Sequence, residues 1–388
     1  MSGVTSSNVG LSKKKPGAPA DLNPLSPSII RSLDSGPINR AKVLLVFSLL
    51  YLAASVFPVD AQSPLLPSPK PLDAPDDWKA FVGDYGSETN DAYTFLVVER
   101  NGELFLVRKS GGESRLDRIG PDGFTVSSPL IPRTANPPLH RDSHGAVALQ
   151  VGAVAFLRRD YIWQSDHVYK IHPLHPIEEL RKAALTDSPP HESATFRNSD
   201  LLEVATLDSA IHLDIRYATA NDFLGTPVYS QARAFLQRPA AEALVRALHK
   251  LHPFGYGLLI HDGYRPWYVT KIFWDATPAE GKIFVADPVQ GSRHNRGCAV
   301  DLTLYNLATG KPIEMPGTYD EMSPRSFPNY PGGTSLQRWH RDLLRLAMES
   351  EGFTVYESEW WHFDYKDWHE YEILNVPFEK LNIGSPQK

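Results

Sequence analysis

The chain has 388 residues, 42% of them hydrophobic and 11% aromatic, enough apolar material for two globular units with appendages. A formal net charge of −6 leaves no basic footprint, so nucleic acid is excluded as an expected partner. The single cysteine, Cys298, excludes an intrachain disulfide and any cysteine-rich zinc site, and it reads as a packed small residue.

Residues 1–40 are rich in Ser, Pro and Gly and carry a Lys13-Lys14-Lys15 cluster, a composition that cannot bury a core. Arg40-Ala41-Lys42 then precedes an uncharged, largely apolar run, Val43 to Phe57, the length of a signal-peptide core and short of the ~20 residues a spanning helix needs. Val59-Asp60-Ala61 supplies a small-residue cleavage site before Gln62. Residues 1–61 are thus expected to be a leader plus signal peptide, with export to a bacterial periplasm or the exterior and no stable membrane span afterwards. The leader is longer than an ordinary n-region, which leaves open whether Met1 is the true start. No cysteine follows the run, which excludes a lipoprotein anchor. Pro64, Pro67, Pro69, Pro71 and Pro75 make 62–77 an extended linker.

Residues 78–172 read as a small all-β accessory domain, a barrel or sandwich. Tyr93–Val98 and Leu104–Val107 flank Asn101-Gly102, the strongest short hairpin signal. Gly123–Val126, Ala146–Leu149 and Val154–Leu157 continue the series. Asp142, His144 and His167 fall near strand ends as surface residues and form no catalytic set. Residues 173–198 form a connector with a short helix at Ile177–Leu185, and Asp187-Ser188-Pro189-Pro190 marks a boundary.

Residues 199–380 show α+β alternation. Leu213–Tyr217 alternates as a strand. Pro239–Leu251 is an amphipathic helix with Ala240, Leu244, Leu248 and Leu251 on one face and proline in its first turn. Gly257–Ile260 is a buried strand leading to Asp262 and Arg265. Ser335–Glu351 is a second helix, opened by a Thr334/Gln337 capping box, stopped by Gly352, and apolar at Leu336, Trp339, Leu343 and Leu346. Phe353–Tyr356 is a strand entering Glu359-Trp360-Trp361-His362.

Two motifs in this region carry chemistry. His294 and Asp301 bracket glycine and small residues, and Leu302 and Leu304 alternate after the aspartate, which puts a carboxylate at the start of a buried strand. A buried carboxylate needs compensation, and a divalent metal supplies it. His362 completes a His/Asp/His set that leaves one tetrahedral position of a zinc ion for water. Glu359, three residues before His362, is placed to take that water's proton. Asp262-Gly263-Tyr264-Arg265-Pro266 adds a pocket cation, with an Asp262–Arg265 salt bridge as the structural alternative.

These motifs resemble the VanX-type D-alanyl-D-alanine dipeptidases of the zinc D,D-peptidase superfamily. Ser292, His294, Gly297, Ala299 and Asp301 match the family's Ser-x-His-x-x-Gly-x-Ala-x-Asp, and Glu359 and His362 match its Glu-x-x-His. Tyr264-Arg265-Pro266 matches its Tyr-Arg-Pro element. Asp214, Arg216, Tyr217, Ala218 and Asn221 match its opening motif, with one extra residue before Phe223. The resemblance spans roughly residues 200 to 375. It implies one zinc per catalytic domain, held by His294, Asp301 and His362, with Glu359 as base and Arg265 stabilising the developing oxyanion. It further implies Asp320 as the partner of the substrate's free amine. Ser292 either hydrogen-bonds the substrate carboxylate or orients His294. Trp360, Trp361 and Phe363 are expected to wall the pocket. The expected function is zinc-dependent hydrolysis of D-alanyl-D-alanine or a related dipeptide, with peptidoglycan fragments as a further partner through the β domain. Two other readings remain: a D,D- or L,D-carboxypeptidase on peptidoglycan stems, and a catalytically silent zinc-bearing binding module.

Overall fold

Asn101 and Gly102 both take positive φ, 52° and 81°, the conformation a two-residue primed turn requires. They join β2 (Phe95–Arg100) to β3 (Glu103–Arg108), paired from Phe95 opposite Arg108 to Arg100 opposite Glu103. β1 (Gly83–Gly86), β4 (Glu113–Arg118), β5 (Gly123–Val126), β6 (Leu139–Arg141), β7 (Val147–Val151) and β8 (Val154–Arg158) extend the ladder. β8 pairs back onto β1, so the β domain is a closed eight-stranded barrel. Closure leaves no free sheet edge. The barrel interior is filled by Phe81, Tyr85, Val97, Leu104, Phe124 and Leu149, with the Phe81 and Phe124 rings edge to face at 5.1 Å.

The computed structural model describes residues 68–86, 94–126, 138–143, 145–152, 154–159 and 170–381. The apolar run Val43–Phe57, the cleavage site, His144 and His167 lie outside these residues. Asp142 closes the turn between β6 and β7, its Oδ1 accepting the Ala146 N–H at 2.9 Å. Among the described residues, no helix is long and apolar enough to cross a membrane.

After α1 (Asp76–Lys79) and the barrel, α2 (Ile177–Thr186) leads into the α+β region. Its sheet runs in the order β10 (Ile211–Leu213), β12 (Tyr256–Asp262), β13 (Ala299–Asn306), β15 (Glu359–Tyr365), β14 (Phe353–Tyr356). β10 and β12 are parallel and the remaining pairs antiparallel. β9 (Leu201–Glu203) and β11 (Phe235–Gln237) form a separate pair. α3 (Arg238–Leu251), α4 (Trp267–Ala276) and α5 (Ser335–Glu349) pack their apolar faces into the core shared with this sheet. α3 buries all four expected residues, Ala240, Leu244, Leu248 and Leu251.

Two expectations are corrected here. The strand placed at Leu213–Tyr217 ends at Leu213, and Arg216–Ala218 is a 3-10 turn. The Asp214 N–H still donates to the Ile260 carbonyl at 2.8 Å and its Oδ2 meets Arg216 Nε at 3.1 Å and His261 Nδ1 at 3.3 Å, after which the chain leaves the ladder and Tyr217 enters the core. On α5 the expected capping box of Thr334 and Gln337 is present and Trp339 and Leu343 are buried as expected, but the buried face is wider and also takes in His340, Arg341, Leu344, Ala347 and Met348. Leu336 and Leu346 are only half-buried.

Candidate active site

β13 and β15 run antiparallel with Asp301 directly opposite His362, so strand register alone sets two expected ligands side by side. The third comes from the turn before β13. His294 opens a 3-10 turn that Gly297 ends at φ 67°. A Cβ at Gly297 would lie 2.5 Å from Leu201 Cδ2, in a conformation that L side chains rarely adopt, so this turn requires glycine. The result is a buried His294/Asp301/His362 cluster.

Each imidazole has one nitrogen committed away from the cluster. His294 Nδ1–H donates to the Gly263 carbonyl at 2.7 Å, and His362 Nε2–H donates to Asp364 Oδ1 at 2.9 Å. The inward atoms, His294 Nε2 and His362 Nδ1, are then free to ligate. They lie 3.1 Å apart and 3.4 and 3.1 Å from Asp301 Oδ1, which receives no hydrogen bond. Zinc bonds of ~2.0–2.1 Å give a tetrahedron with edges of roughly 3.3–3.4 Å, and this triangle fits one such face. The donor set therefore fits one zinc ion in the catalytic domain. Tyr319 O–H holds Asp301 Oδ2 at 3.2 Å from the other side. Burial alone would raise the Asp301 pKa, but His294 and His362 hold it well below the usual carboxylate range.

Glu359 brings its Oε2 to 3.6 Å from His362 Nδ1. On a regular strand, residues three apart face opposite sides. Here Tyr356 pairs with Glu359 across the Glu357-Ser358 turn, yet Val355 pairs with Phe363. Trp360, Trp361 and His362 therefore have no partner on β14, and this bulge turns Glu359 and His362 to the same pocket. Burial, opposed by His362 and reinforced by Asp301, pushes Glu359 up to about 7. Glu357, two residues before Glu359, is exposed in the turn.

Arg265 both lines the pocket and forms a salt bridge to Asp262. Its Nε donates to Asp262 Oδ2 at 2.9 Å, and Nη2 lies 2.8 Å from the same oxygen and 3.9 Å from Asp301 Oδ2. Tyr229 O–H secures Asp262 Oδ1 at 2.7 Å, and the guanidinium rests over the Phe273 ring at 4.8 Å. The salt bridge is thus what aims the cation into the pocket.

Asp320 and Ser292 reach the same pocket. Asp320 Oδ1 accepts the Tyr217 hydroxyl at 3.0 Å, while its buried Oδ2 has no hydrogen-bond partner. Burial, with the Asp301 charge, pushes this carboxyl well above its ordinary range. Ser292 Oγ accepts the His294 N–H at 3.2 Å. Of the three aromatics expected to wall the pocket, only Trp361 lines it; Trp360 and Phe363 pack into the core, because the bulge points one tryptophan each way. Cys298 is fully buried and burial pushes its thiol up, consistent with a packing role. Tyr217, Tyr319 and Asp364 escaped the sequence reading as site residues. Asp364, two residues beyond His362 on a strand, had a signal in that spacing, and Tyr217 had one in the opening motif; Tyr319, on a loop, had none.

Residues 197–380 match the family model described as D-ala-D-ala dipeptidase. The D-alanyl-D-alanine dipeptidase of Escherichia coli (strain K12) is 33% identical over 180 residues, covering 46% of this chain and 92% of that protein. The chain belongs to the D-Ala-D-Ala dipeptidase family. The proteins of the same name from Enterococcus faecium and Enterococcus faecalis are each 36% identical, over 185 and 196 residues, covering 42% and 44% of this chain and 90% and 92% of their own lengths. The family match begins after the barrel. Family membership and the metal cluster together make the α+β region a zinc metallopeptidase, which sets aside the silent binding module.

Proposed function

We propose that the protein hydrolyses D-alanyl-D-alanine or a closely related D,D-dipeptide in cell-wall peptide metabolism. One observation carries the substrate class: Asp320 presents an unpartnered, buried carboxylate oxygen to the pocket that holds the His294/Asp301/His362 cluster. Burial and the Asp301 charge hold this carboxyl above its ordinary range while it stands alone, and a cation beside it reverses that; a dipeptide's free ammonium is the cation at the right end of the substrate. A carboxypeptidase acting on long stems has no ammonium there.

Zinc, when bound, supplies a Lewis acid that polarises the scissile carbonyl and lowers the pKa of water. Glu359, buried beside His362, accepts a water proton and returns it to the leaving amine. Arg265, fixed by Asp262, faces the charge that grows on the carbonyl oxygen. Ser292 keeps its own O–H to donate to the substrate carboxylate, since its oxygen already accepts from His294. The names of the relatives support this substrate. The same reading places the mature protein outside the cytoplasm, beginning near Gln62, and gives the barrel a surface for peptidoglycan fragments.

Purified protein is expected to carry one zinc per chain and to cleave D-Ala-D-Ala, while rejecting N-acetyl-D-Ala-D-Ala and stem peptides. His294→Ala is expected to lose the metal on elemental analysis. Preferential turnover of stem peptides would establish the carboxypeptidase instead, and full zinc content in His294→Ala would remove the ligand assignment.

A further inference from the structure

The segment from Met315 to Thr334 connects the pocket to the barrel. Its first half carries Asp320, Glu321 and Met322, all of which line the pocket. Its second half ends on β1 and β2. β2 alternates as a barrel strand must: Val97 enters the barrel core, while Leu96 and Val98 face outward and bury Tyr330. The Tyr330 hydroxyl donates to Asp84 Oδ1 on β1. Glu99, 1% exposed, accepts the Gly102 N–H at 2.6 Å and the Ser335 N–H at 2.7 Å, and so caps the N-terminus of α5 from the barrel side. Its carbonyl accepts from Arg338 Nη2 at 2.7 Å, and Arg338 Nη1 in turn holds the Gly333 carbonyl at 2.8 Å.

Between these two ends the chain is tied rather than loose. Glu321, fully buried, accepts the Thr318 N–H at 2.9 Å and the Ser323 hydroxyl, and lies 3.3 Å from Arg325 Nε. Ser326 donates to the Glu321 carbonyl, and Arg325 Nε to the Pro316 carbonyl at 2.9 Å. Burial pushes Glu321 up to about 7 against Arg325, and the barrel's Asp84 adds to the rise, so a barrel charge is felt at a pocket-lining residue. Asp320 itself sits at φ 59°, in the left-handed region that aspartate enters more readily than most residues with a side chain, at the turn that sets its direction.

We propose that the barrel is a positioning element of the active site: by gripping Tyr330 and the start of α5, it fixes the Met315–Thr334 segment so that Asp320 meets the substrate's ammonium. The inference rests on the ammonium-binding role given to Asp320. It makes Asp84, Glu99 and Tyr330 positioning residues, two of them on a barrel that lies outside the family match.

Tyr330→Phe in the zinc-loaded, full-length protein tests this, because it keeps the ring between Leu96 and Val98 and removes only the hydroxyl held by Asp84. It is expected to raise KM for D-Ala-D-Ala roughly 5- to 30-fold with kcat and zinc content nearly unchanged. Added to Asp320→Asn, which removes the charge being positioned, it is expected to have no further effect on KM. Amide hydrogen exchange at residues 318–322 is expected to accelerate in Tyr330→Phe while β12 and β13 keep their protection. Unchanged exchange at 318–322, or independent effects of the two substitutions, overturns the brace. A wild-type protein inactive on the free dipeptide overturns the dipeptidase reading instead, and the exchange measurement then still decides the brace. Glu99→Gln, which weakens the cap without removing bulk, repeats both measurements from the other contact.

Discussion

The proposed base, Glu359, is set apart from the ligands by geometry: its Oε2 lies 3.6 Å from His362 Nδ1, and it is not among the three residues whose donor atoms cluster. Glu359→Gln keeps size and hydrogen bonding but cannot accept a proton, so zinc content is expected to hold while kcat falls by roughly 10²–10⁴. The pH profile carries the sign. Glu359 must be ionised to act, so kcat/KM rises with pH through its pKa, and bound zinc draws that limb below the value of about 7. Loss of this limb in Glu359→Gln, seen in rate measurements between about pH 4 and 8, identifies the group; near-normal turnover would remove it from the mechanism. Arg265→Ala is expected to cost roughly 2.7–4 kcal/mol of transition-state stabilisation. The ligand types and their spacing were legible in the sequence because a metal demands particular donor atoms. The hydrogen bond from Tyr319 was not, since Tyr319 lies on a loop whose path to Asp301 no local pattern fixes, whereas Asp364 was within reach of the i, i+2 spacing on the strand of His362.

Local signals were legible wherever they were chemically specific. The Asn101-Gly102 turn, the capping box of α5 and the apolar stripe of α3 all depend on residues a few positions apart. β4 escaped because it reads Glu-Ser-Arg-Leu-Asp-Arg and buries only Leu116; it is held by barrel closure and by cross-strand pairs such as Arg115 with Glu103 at 3.0 Å. The buried face of α5 was read correctly at Trp339 and Leu343 but too narrowly, since His340 and Arg341 count as polar in any periodicity. His340 has a measurable consequence. Its Nε2 lies 2.8 Å from the Tyr256 hydroxyl, and burial, with the Lys70 charge nearby, lowers its pKa to about 4. An unfolded imidazole titrates near ~6.5, so between these values the unfolded chain binds more protons and stability falls as pH falls. The total loss is expected to reach roughly 3 kcal/mol below about pH 4. Urea unfolding of the wild type and His340→Gln at about pH 7 and pH 4.5 checks this; equal losses in both would assign the effect to other groups.

The barrel and the zinc site share one unit, Ser63–Lys388, and the contacts that join them pass through the segment carrying Asp320 and the start of α5. The linker adds to this. Trp339 Nε1 on α5 donates to the Ser68 carbonyl at 2.6 Å, and Lys70 Nζ reaches the Tyr256 hydroxyl at 2.7 Å. Residues that look like spacer by composition therefore dock on the catalytic core, which proline content alone could not convey. Zinc ties together β13, β15 and the turn before β13, and it binds the folded state by assembling ligands that are scattered in the unfolded chain. Free zinc at a hundred times its dissociation constant is expected to stabilise the fold by about 2.7 kcal/mol. Because Glu99 caps α5 and Tyr330 lies in the barrel's outer face, this gain is expected to reach the barrel as well as the catalytic sheet. Hydrogen exchange followed at β2–β3 and at β12–β13, with zinc present and after chelation, measures the coupling. Both regions are expected to lose protection together on chelation, and His294→Ala is expected to match the chelated wild type in both. Protection lost at β12–β13 alone would mean that the barrel unfolds independently, with its grip on the Asp320 segment too weak to carry the coupling.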